Sequence, residues 1–317
     1  MTPCLGIEIG GTKLQLALGS GDGTLRARHA AVVDASAGAA VLRRQLLEAA
    51  RGLMRQENIP HPTAIGVGFG GPLDERTGTV LRSHHVAGWD NFPLAEWLEA
   101  ELRAPVVVQN DSTTAALAEA KFGAGRGHSP MLYVNSGSGI GGGLIINGEP
   151  YQGGPFGSLE IGHIWLWTRS THGDLERTTL ENVASGWAIS RATKAIMESA
   201  QPPLTKEVIG NINAQWVAEA ALAGDQEARS ILARACDAMG QAIATAITLL
   251  APACVVLGGG VSQMDRRLWR DPIAECVNAL VFEPFRGTYE IRTAQLGQDV
   301  VLHGALALAS KRMSATC

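Results

Sequence analysis

The sequence predicts an α/β fold built from two related halves, and three observations support this prediction. Short apolar runs typical of buried strands alternate with amphipathic helices along the 317 residues, which is the pattern of an α/β class with a mixed sheet. Two glycine turns, within residues 9–14 and 140–144, each stand between two apolar runs. The 38 glycines occur without a low-complexity tract and therefore indicate tight turns rather than disorder. The two similar turns predict a duplicated architecture.

The first half begins with three apolar runs typical of a β-meander. A helix follows, because Val41, Leu42, Leu46, Leu47 and Leu53 lie on one side at helical spacing. The predicted elements are strands at about 4–9, 13–18 and 24–33, a helix at 39–56, a strand at 64–69 with a turn at 70–72, a helix at 94–102, a strand at 106–108 and a helix at 111–122.

The second half is more helical and follows a glycine-rich hinge candidate at 123–127. Its predicted elements are strands at 131–134, 144–146 and 254–257, and helices at about 187–200, 214–223, 225–250 and 301–312. The predicted domains are an N-terminal lobe of residues 1–122 and a C-terminal lobe of residues 123–300. The last segment, 301–317, is predicted to pack back on the first lobe.

One uncharged stretch, from Met239 to Met264, has the length of a membrane span. Pro252 and the glycines at 258–260 divide it, so a buried helix ending near Leu250 and a buried strand explain it better. We therefore expect no membrane association.

Composition and charge narrow the class of protein. The chain has 26 basic and 30 acidic residues, a net charge of −4, which provides no basic surface for nucleic acid. Its five cysteines are scattered and form no C-x-x-C motif, which is typical of reduced thiols in the cytoplasm. The N-terminus carries no basic-then-apolar signal segment, so we expect a cytoplasmic protein.

The two glycine turns suggest phosphate binding. Successive backbone N–H groups in such turns form concavities that bind anions, and two of them suggest a phosphate chain held by duplicated lobes. The stretch 137–142 also matches the dinucleotide pattern G-x-G-x-x-G, but it leads into a strand and an Asn-Gly hairpin turn rather than a helix. No P-loop motif occurs. Two ordinary tight turns are the remaining alternative to a phosphoryl-transfer enzyme.

Seven short motifs, taken in order, resemble those of the ROK (repressor, open reading frame, kinase) family of sugar kinases over nearly the whole chain. Their order and spacing make the resemblance specific. The motifs are Ile9-Gly-Gly-Thr-Lys13, Gly70-Gly-Pro72, Asn110-Asp111, Gly137-x-Gly-x-Gly-Gly-Gly143, Glu160-Ile-Gly-His163, Leu180-Glu181 with Ala184-Ser-Gly186, and Leu257-Gly-Gly-Gly260.

The resemblance implies a two-lobed actin-like ATPase (ribonuclease H-like) fold with a cleft between the lobes, which binds a hexose, ATP and Mg²⁺. By resemblance, Asp111 is the catalytic base and Asn110 a partner of a sugar hydroxyl. The implied sugar-binding residues are Gly71, Asn110, Glu160, His163 and Glu181, with His84 and His85 in the segment that selects the sugar. The implied nucleotide-binding residues are Gly10, Gly11, Thr12, Lys13, Ser136, Gly137, Ser138 and Gly139 for the phosphates, and Gly258, Gly259 and Gly260 for the adenine.

Simpler roles stay open for three of these side chains. Asp111 precedes Ser-Thr-Thr-Ala-Ala-Leu and fits an ordinary N-cap. His163 fits a half-buried histidine satisfied by its neighbours, although Glu160 three residues before it favours a shared site. Glu181 opens a helical stretch, where a carboxylate favours the helix dipole.

The chain departs from the pattern of the ROK family in two places. Many members carry three cysteines after the Glu-x-x-His motif, which bind zinc together with that histidine. Residues 168–179 hold no cysteine here, and His172 alone cannot replace three thiolates, so we expect no zinc site. Glu8 stands where the first phosphate loop usually begins with aspartate. We expect Glu8 to contact Mg²⁺ directly or through water.

The sequence therefore predicts a cytoplasmic, ATP-dependent hexose kinase that acts on the 6-hydroxyl, with glucose as the default substrate. Fructose, mannose or an N-acetylhexosamine are alternative substrates. A non-catalytic sugar sensor of the same fold and a generic actin-like ATP hydrolase are the alternative functions. A homodimer is expected from the resemblance.

Overall fold

The structure is a computed structural model that describes residues 3–83, 86–154, 157–170, 173–198, 210 and 212–314. The strands of this part of the chain are β1 (Cys4–Ile9), β2 (Lys13–Gly19), β3 (Leu25–Val32), β4 (Ile65–Phe69), β5 (Leu73–Asp74), β6 (Thr79–Val80), β7 (Phe92–Pro93), β8 (Val106–Asn110), β9 (Met131–Ser136), β10 (Ile140–Ile146), β11 (Glu149–Pro150), β12 (Trp165–Arg169), β13 (Leu175–Thr179), β14 (Cys254–Gly258) and β15 (Glu290–Thr293). The helices are α1 (Gly38–Gln56), α2 (Leu94–Leu102), α3 (Asp111–Phe122), α4 (Glu181–Ala184), α5 (Gly186–Glu198), α6 (Ala214–Leu222), α7 (Gln226–Leu250), α8 (Arg270–Leu280) and α9 (Val300–Ser314).

The first sheet has the strand order β3-β2-β1-β4-β8. The meander β1–β2–β3 is antiparallel. On the other side of β1, β4 pairs with β1 and β8 pairs with β4, both in parallel. β1 and β4 are buried along their whole length, which explains why they are apolar rather than alternating. This arrangement confirms the predicted mixed sheet.

Helix α9 packs closely on β1, β4 and α3 because small residues line the contact. A side chain at Gly66 would lie 1.8 Å from the carbonyl oxygen of Ala305, and one at Gly304 would lie 2.0 Å from that of Thr114. Neither position accepts a Cβ without moving backbone. The packing of α9 therefore depends on these two glycines.

The second five-stranded sheet repeats the order of the first, as β11-β10-β9-β14-β15. In each sheet a glycine turn joins the central strand to its neighbour, and the fourth and fifth strands follow in parallel on the other side. The duplication predicted from the two turns is therefore present in the topology. Asn147 and Gly148 both have positive φ and form the predicted hairpin turn to β11.

The start of β10 differs from the prediction, which placed the strand at 144–146. The strand begins at Ile140, so the run Gly141–Gly143 lies within it. Gly143 is required by packing, because a Cβ there would lie 2.6 Å from the Cβ of Ala116. The glycines that read as a loop in sequence are strand residues under a close neighbour.

By its internal contacts the chain divides into two compact units. The first comprises Met1–Gly127, Gly143–Ser158 and Leu296–Cys317, and the second comprises His128–Gly142 and Leu159–Gln295. The predicted division had placed all of 123–300 in one lobe. The two divisions differ at residues 123–127, 143–158 and 296–300. Within the middle segment, β11 contacts α3 of the first unit.

Each unit has its own apolar core. Helix α7 lies in the second unit, ends at Leu250 and is followed by the buried β14, as predicted for the uncharged stretch. No helix among the described residues has both the length and the apolar character needed to cross a membrane.

Two small sheets were not predicted from the sequence. β5, β6 and β7 form a three-stranded sheet in the first unit, and β12 pairs with β13 in the second. The strands β5–β7 have only two residues each and are too short for a detectable alternation.

Candidate functional site

The first glycine turn follows β1 and closes on itself, since the Gly10 N–H donates to the Lys13 carbonyl at 2.9 Å. The Gly70 N–H donates to the Ile9 carbonyl at 2.8 Å, which holds the end of β4 beside this turn. The predicted phosphate turn and the predicted sugar-facing glycines thus lie next to each other in the first unit. Gly71 follows directly in the same bend, with its N–H bonded to the Phe69 carbonyl at 3.1 Å.

Glu8 points from β1 into a network of polar groups and is only 5% exposed. Lys13 Nζ lies 3.0 Å from Glu8 Oε1, and the Gln15 amide donates to Glu8 Oε2 at 3.3 Å. The carbonyl of Gln298 accepts from Lys13 Nζ at 3.1 Å and from the Gln15 amide at 3.2 Å. Glu8 and Lys13 therefore form an ion pair in which the carboxylate is buried and the lysine is partly exposed.

Burial raises the pKa of Glu8 to about 7, although Lys13 opposes the shift. Asp111 and Asp299 raise this pKa further, because each adds negative charge nearby. A pocket that resists a further negative charge favours a cation. The environment of Glu8 is therefore compatible with the predicted metal contact.

The Asn110-Asp111 pair stands at the junction of β8 and α3. Asn110 is the N-cap, because its Oδ1 accepts the N–H of Ser112 at 2.9 Å and that of Thr113 at 3.4 Å. The alternative prediction that Asp111 is the cap is wrong. Asp111 is the first residue of the helix, where its charge also favours the dipole.

The Asp111 carboxylate lies beside the glycines of the first unit's turns. A Cβ at Gly70 would lie 3.0 Å from Asp111 Oδ2 and 3.5 Å from the Gly10 Cα. Gly70 thus leaves space next to the carboxylate. The structure brings together Glu8, Gly10, Gly70 and Asp111, as the sequence motifs suggested.

Four residues of this region were not predicted from the sequence. The Gln15 amide and the Gln298 carbonyl hold Glu8 and Lys13, and Asp299 lies near them. Buried Glu119 accepts the Leu296 N–H at 2.9 Å, which fixes the segment that carries Gln298. A glutamate in the middle of an otherwise apolar helix face was the available signal for Glu119, whereas nothing in the sequence indicated the others.

The second glycine turn, after β9, is tied to two helices of the second unit. The Gly137 N–H bonds the Gly139 carbonyl at 2.9 Å, and the Gly186 N–H at the start of α5 bonds the Gly137 carbonyl at 2.8 Å. The buried Ser136 hydroxyl donates to the Ala184 carbonyl at 3.1 Å. The turn predicted to bind phosphates is therefore rigidly held.

Glu181 supports this turn directly. Its Oε2 accepts the Ile140 N–H at 2.8 Å, and a Cβ at Gly139 would lie 2.5 Å from the same oxygen. A side chain at position 139 would therefore displace the Glu181 carboxylate. One carboxylate oxygen of the residue predicted to bind sugar contacts the glycine turn.

The three glycines at the end of β14 differ in their backbone conformation and in their neighbours. A Cβ at Gly258 would lie 2.0 Å from Tyr133 Oη, and Gly259 has φ of 84° and lies against the Ser136 carbonyl. Packing therefore explains Gly258 and Gly259. A Cβ at Gly260 would meet no atom of the described residues within 4 Å, so packing does not explain this glycine.

Glu160 and His163 lie together on the surface of the second unit. His163 Nε2 is 4.0 Å from Glu160 Oε2, and the side chains of His163 and Glu160 are 66% and 60% exposed respectively. The prediction of a half-buried His163 is wrong, because the short turn of residues 161–163 points the ring outward. His84, His85 and His172 lie outside the described residues. Within the part of the chain that the structure describes, no group of three His, Cys, Asp or Glu residues is arranged to hold a metal.

The comparisons with known proteins agree with these motifs. The chain is 29% identical over 313 residues to the glucokinase of Thermotoga maritima, covering 98% of each chain. It is 32% identical over 307 residues to the glucokinase of Halalkalibacterium halodurans, covering 95% of this chain and 92% of that one.

Its structure is similar to that of a ROK family glucokinase from Streptomyces griseus in complex with glucose and AMPPNP. The TM-score is 0.80 at 28% identity, with coverage of 98% and 99% of the two chains. This similarity and the two sheets of equal strand order confirm the predicted actin-like ATPase (ribonuclease H-like) fold. The family model described as ROK family matches residues 4–312, and the chain belongs to the ROK family.

Proposed function

We propose that this protein transfers the γ-phosphoryl group of ATP to the 6-hydroxyl of a hexose, with glucose as the default substrate. The full-length similarity to two glucokinases supports a sugar kinase. The observation that carries the proposal is the placement of Asp111. It lies beside the first glycine turn, and helix capping does not explain it because Asn110 is the cap.

Asp111 accepts the proton of the attacking hydroxyl in this proposal. Phosphoryl transfer needs mainly positioning and charge neutralisation, with one carboxylate to orient the nucleophile. The Asn110 Oδ1 is engaged by the helix, so its amide N–H₂ is the group that donates to the sugar. Asn110 and Asp111 thus supply a donor and an acceptor at adjacent positions.

The phosphates of ATP are assigned to the two glycine turns. The N–H groups of Gly10 and Gly137 close the two turns, so Gly11 and Thr12 in the first unit and Ser138 and Gly139 in the second offer the backbone N–H groups. Lys13 adds positive charge, and Gly260 leaves open space for the adenine. Gly71, Glu160, His163 and one oxygen of Glu181 are assigned to the sugar.

The residues around Glu8 fit a magnesium ion. Mg²⁺ binds proteins through one or two carboxylates and keeps several waters, so a dense ligand cluster is not required. Glu8 is a buried carboxylate with raised pKa, and Asp299 Oδ1 is buried without a hydrogen-bond partner among the described residues. When bound with ATP, the ion would neutralise charge on the phosphates, with Glu8 as its protein contact through water.

A panel of hexoses tested for ADP release and product identity checks the proposal. We expect Mg²⁺-dependent phosphorylation of glucose at the 6-hydroxyl, with fructose, mannose and N-acetylhexosamines as slower substrates. A protein that binds glucose in calorimetry but phosphorylates none of these sugars would be a sensor and would overturn the proposal. ATP hydrolysis that no sugar stimulates would indicate the generic ATP hydrolase instead.

We also expect a cytoplasmic homodimer that binds neither nucleic acid nor membrane. The net charge of −4 supports the absence of a nucleic-acid partner. Sedimentation of the purified protein would test the dimer.

A further inference from the structure

A second carboxylate approaches the Asn110-Asp111 pair from the small sheet of β5–β7. Glu75 follows β5 in the turn that leads to β6, and this turn is closed by the Gly78 N–H on the Asp74 carbonyl at 2.8 Å. Glu75 Oε1 accepts the backbone N–H of Asn110 at 3.4 Å. Glu75 is therefore hydrogen-bonded to Asn110, the residue that precedes the proposed base.

The other oxygen of this carboxylate lacks a partner. Glu75 Oε2 is buried and makes no hydrogen bond within the described chain. Buried polar atoms are normally satisfied, and an unsatisfied one is costly. Burial raises the pKa of Glu75 for the same reason, since the ionised form lacks solvation. A donor supplied by a ligand would remove this cost.

Glu75 also lines a cavity of about 350 Å³ in the first unit, together with Arg76, Gln152, Gly153 and Gly154. A Cβ at Gly157 would lie 3.8 Å from Glu75 Oε1, so the glycine-rich segment passes close to the carboxylate. The last torsion of a glutamate side chain is soft and roughly two-fold. Glu75 can therefore present an acceptor oxygen to a ligand in this cavity.

The charge of the cavity indicates what it binds. Arg76 is paired with Asp74 at 3.4 Å and its side chain is 71% exposed, so its cation is directed to the neighbouring carboxylate and to solvent. Glu75 then repels phosphate and carboxylate groups, while Gln152 and the glycine backbone offer donors and acceptors to a neutral ligand. A polyhydroxylated ligand fits this lining, whereas an anionic one does not.

We propose that Glu75 is a further sugar-binding residue, which accepts a hydrogen bond from one ring hydroxyl of the hexose other than the hydroxyl that is phosphorylated. This inference rests on the proposed function, and it adds a specificity determinant outside the family motifs. Glu75 binds the sugar and, through the Asn110 N–H, positions the pair that contains the base.

The test combines variants of Glu75 with deoxy analogues of the sugar. Glu75→Ala and Glu75→Gln are compared with Asp74→Asn, which disturbs the same turn through the Arg76 N–H but leaves the cavity carboxylate intact. Sugar affinity is measured by calorimetry and turnover by ADP release. Thermal melts establish that each variant folds. If Glu75→Ala does not fold, Glu75→Met carries the test, because it keeps roughly the size of the side chain and has no oxygen acceptor, whereas the amide oxygen of Gln still accepts a hydrogen bond.

We expect Glu75→Ala to weaken glucose binding about tenfold, a typical loss for one hydrogen bond to a charged group, with the KM for ATP within about twofold. One deoxyglucose should bind the wild type about tenfold more weakly than glucose and yet lose nothing further in Glu75→Ala, because the two changes remove the same hydrogen bond. Asp74→Asn should bind every analogue like the wild type.

Two outcomes would overturn the inference. Unchanged glucose affinity in the Glu75 variant that carries the test would show that the cavity does not bind sugar. An equal loss for every deoxy analogue would show a structural effect on the turn. Calorimetry measures sugar binding without turnover. A wild type that binds glucose but does not phosphorylate it would therefore contradict the proposed function, and the deoxy analogues would still test the role of Glu75.

Discussion

The turn after β1 and the turn after β9 occupy the same place in two sheets of the same strand order, yet each meets its carboxylate differently. Glu8 comes from the strand that leads into the first turn, is nearly buried and pairs with Lys13. Glu181 reaches the second turn from a helix 41 residues further along and accepts a backbone N–H. The glycines form both turns, whereas the carboxylates that contact the turns differ in origin, burial and hydrogen-bond partner.

The difference in surroundings separates two tasks. The first turn adjoins two further carboxylates, Asp111 and Asp299, which raise the pKa of Glu8. The second turn is tied by backbone and hydroxyl hydrogen bonds to α4 and α5. Both turns are proposed to bind phosphate, and we expect proton transfer and the metal contact beside the first turn only.

The largest expected effect is a loss of turnover when the proposed base beside the first turn is replaced. Asp111→Asn should lower turnover by about 10²–10⁴-fold, the usual loss for a general base, while sugar affinity changes little. Steady-state kinetics and thermal melts measure both. Asn110→Ala is the matched control for capping, and it should lower stability by about 1 kcal/mol. A stable Asp111→Asn enzyme with normal turnover would show that the base lies elsewhere.

The buried charge of Glu8 should appear in the pH dependence of stability, measured without Mg²⁺ or nucleotide. Its pKa is raised from 4.5 to about 7, so the folded protein binds more protons than the unfolded chain between these values. The protonated Glu8 carboxyl contributes to the free energy of unfolding. This contribution is fully present below about pH 4.5 and is lost as the pH rises through about 7. A shift of this size corresponds to roughly 3 kcal/mol.

Glu8→Gln should therefore be more stable than the wild type at pH 8, and this advantage should disappear at pH 4. Chemical denaturation at several pH values gives the two curves. Glu48→Gln, on the exposed face of α1, is the control and should follow the wild type. If the stability of Glu8→Gln and of the wild type varied with pH in the same way, the raised pKa of Glu8 would be wrong.

The smallest effects should distinguish the residues near the second turn. Glu160→Ala and His163→Ala should raise the sugar KM about 2–10-fold, the scale of a single hydrogen bond, and leave the ATP KM unchanged. Glu181→Ala should raise both KM values, because its carboxylate also holds the Ile140 N–H. Steady-state kinetics with each substrate varied in turn separates the two classes. A Glu181→Ala enzyme whose ATP KM is unchanged would show that the contact does not shape the turn.

Most of the regular structure was predictable because the signals are local. The spacing of leucines in α1, the uncharged run that ends α7 and the Asn-Gly turn after β10 each act within a few residues. The start of β10 was not predictable, because Gly143 is a strand residue only owing to Ala116 on another element. The same limit explains the short strands β5–β7.

The candidate site divides in the same way. The order of motifs was enough to select Asp111 and the two glycine turns. The choice of Asn110 rather than Asp111 as the cap depends on one backbone angle and two N–H groups, which the residue types alone do not distinguish, since both are good caps. The exposure of His163 likewise depends on the turn that carries it.

By itself, the sequence determined the α/β class, the duplicated glycine turns and the family, because periodicity and motif order are properties of the chain. The tertiary structure alone decided the electrostatics. The pKa of Glu8, the contact of Glu181 with Ile140 and the unpartnered oxygen of Glu75 all depend on groups that are distant in sequence. Desolvation and charge interactions depend on distances in space, and only the folded chain brings these groups together.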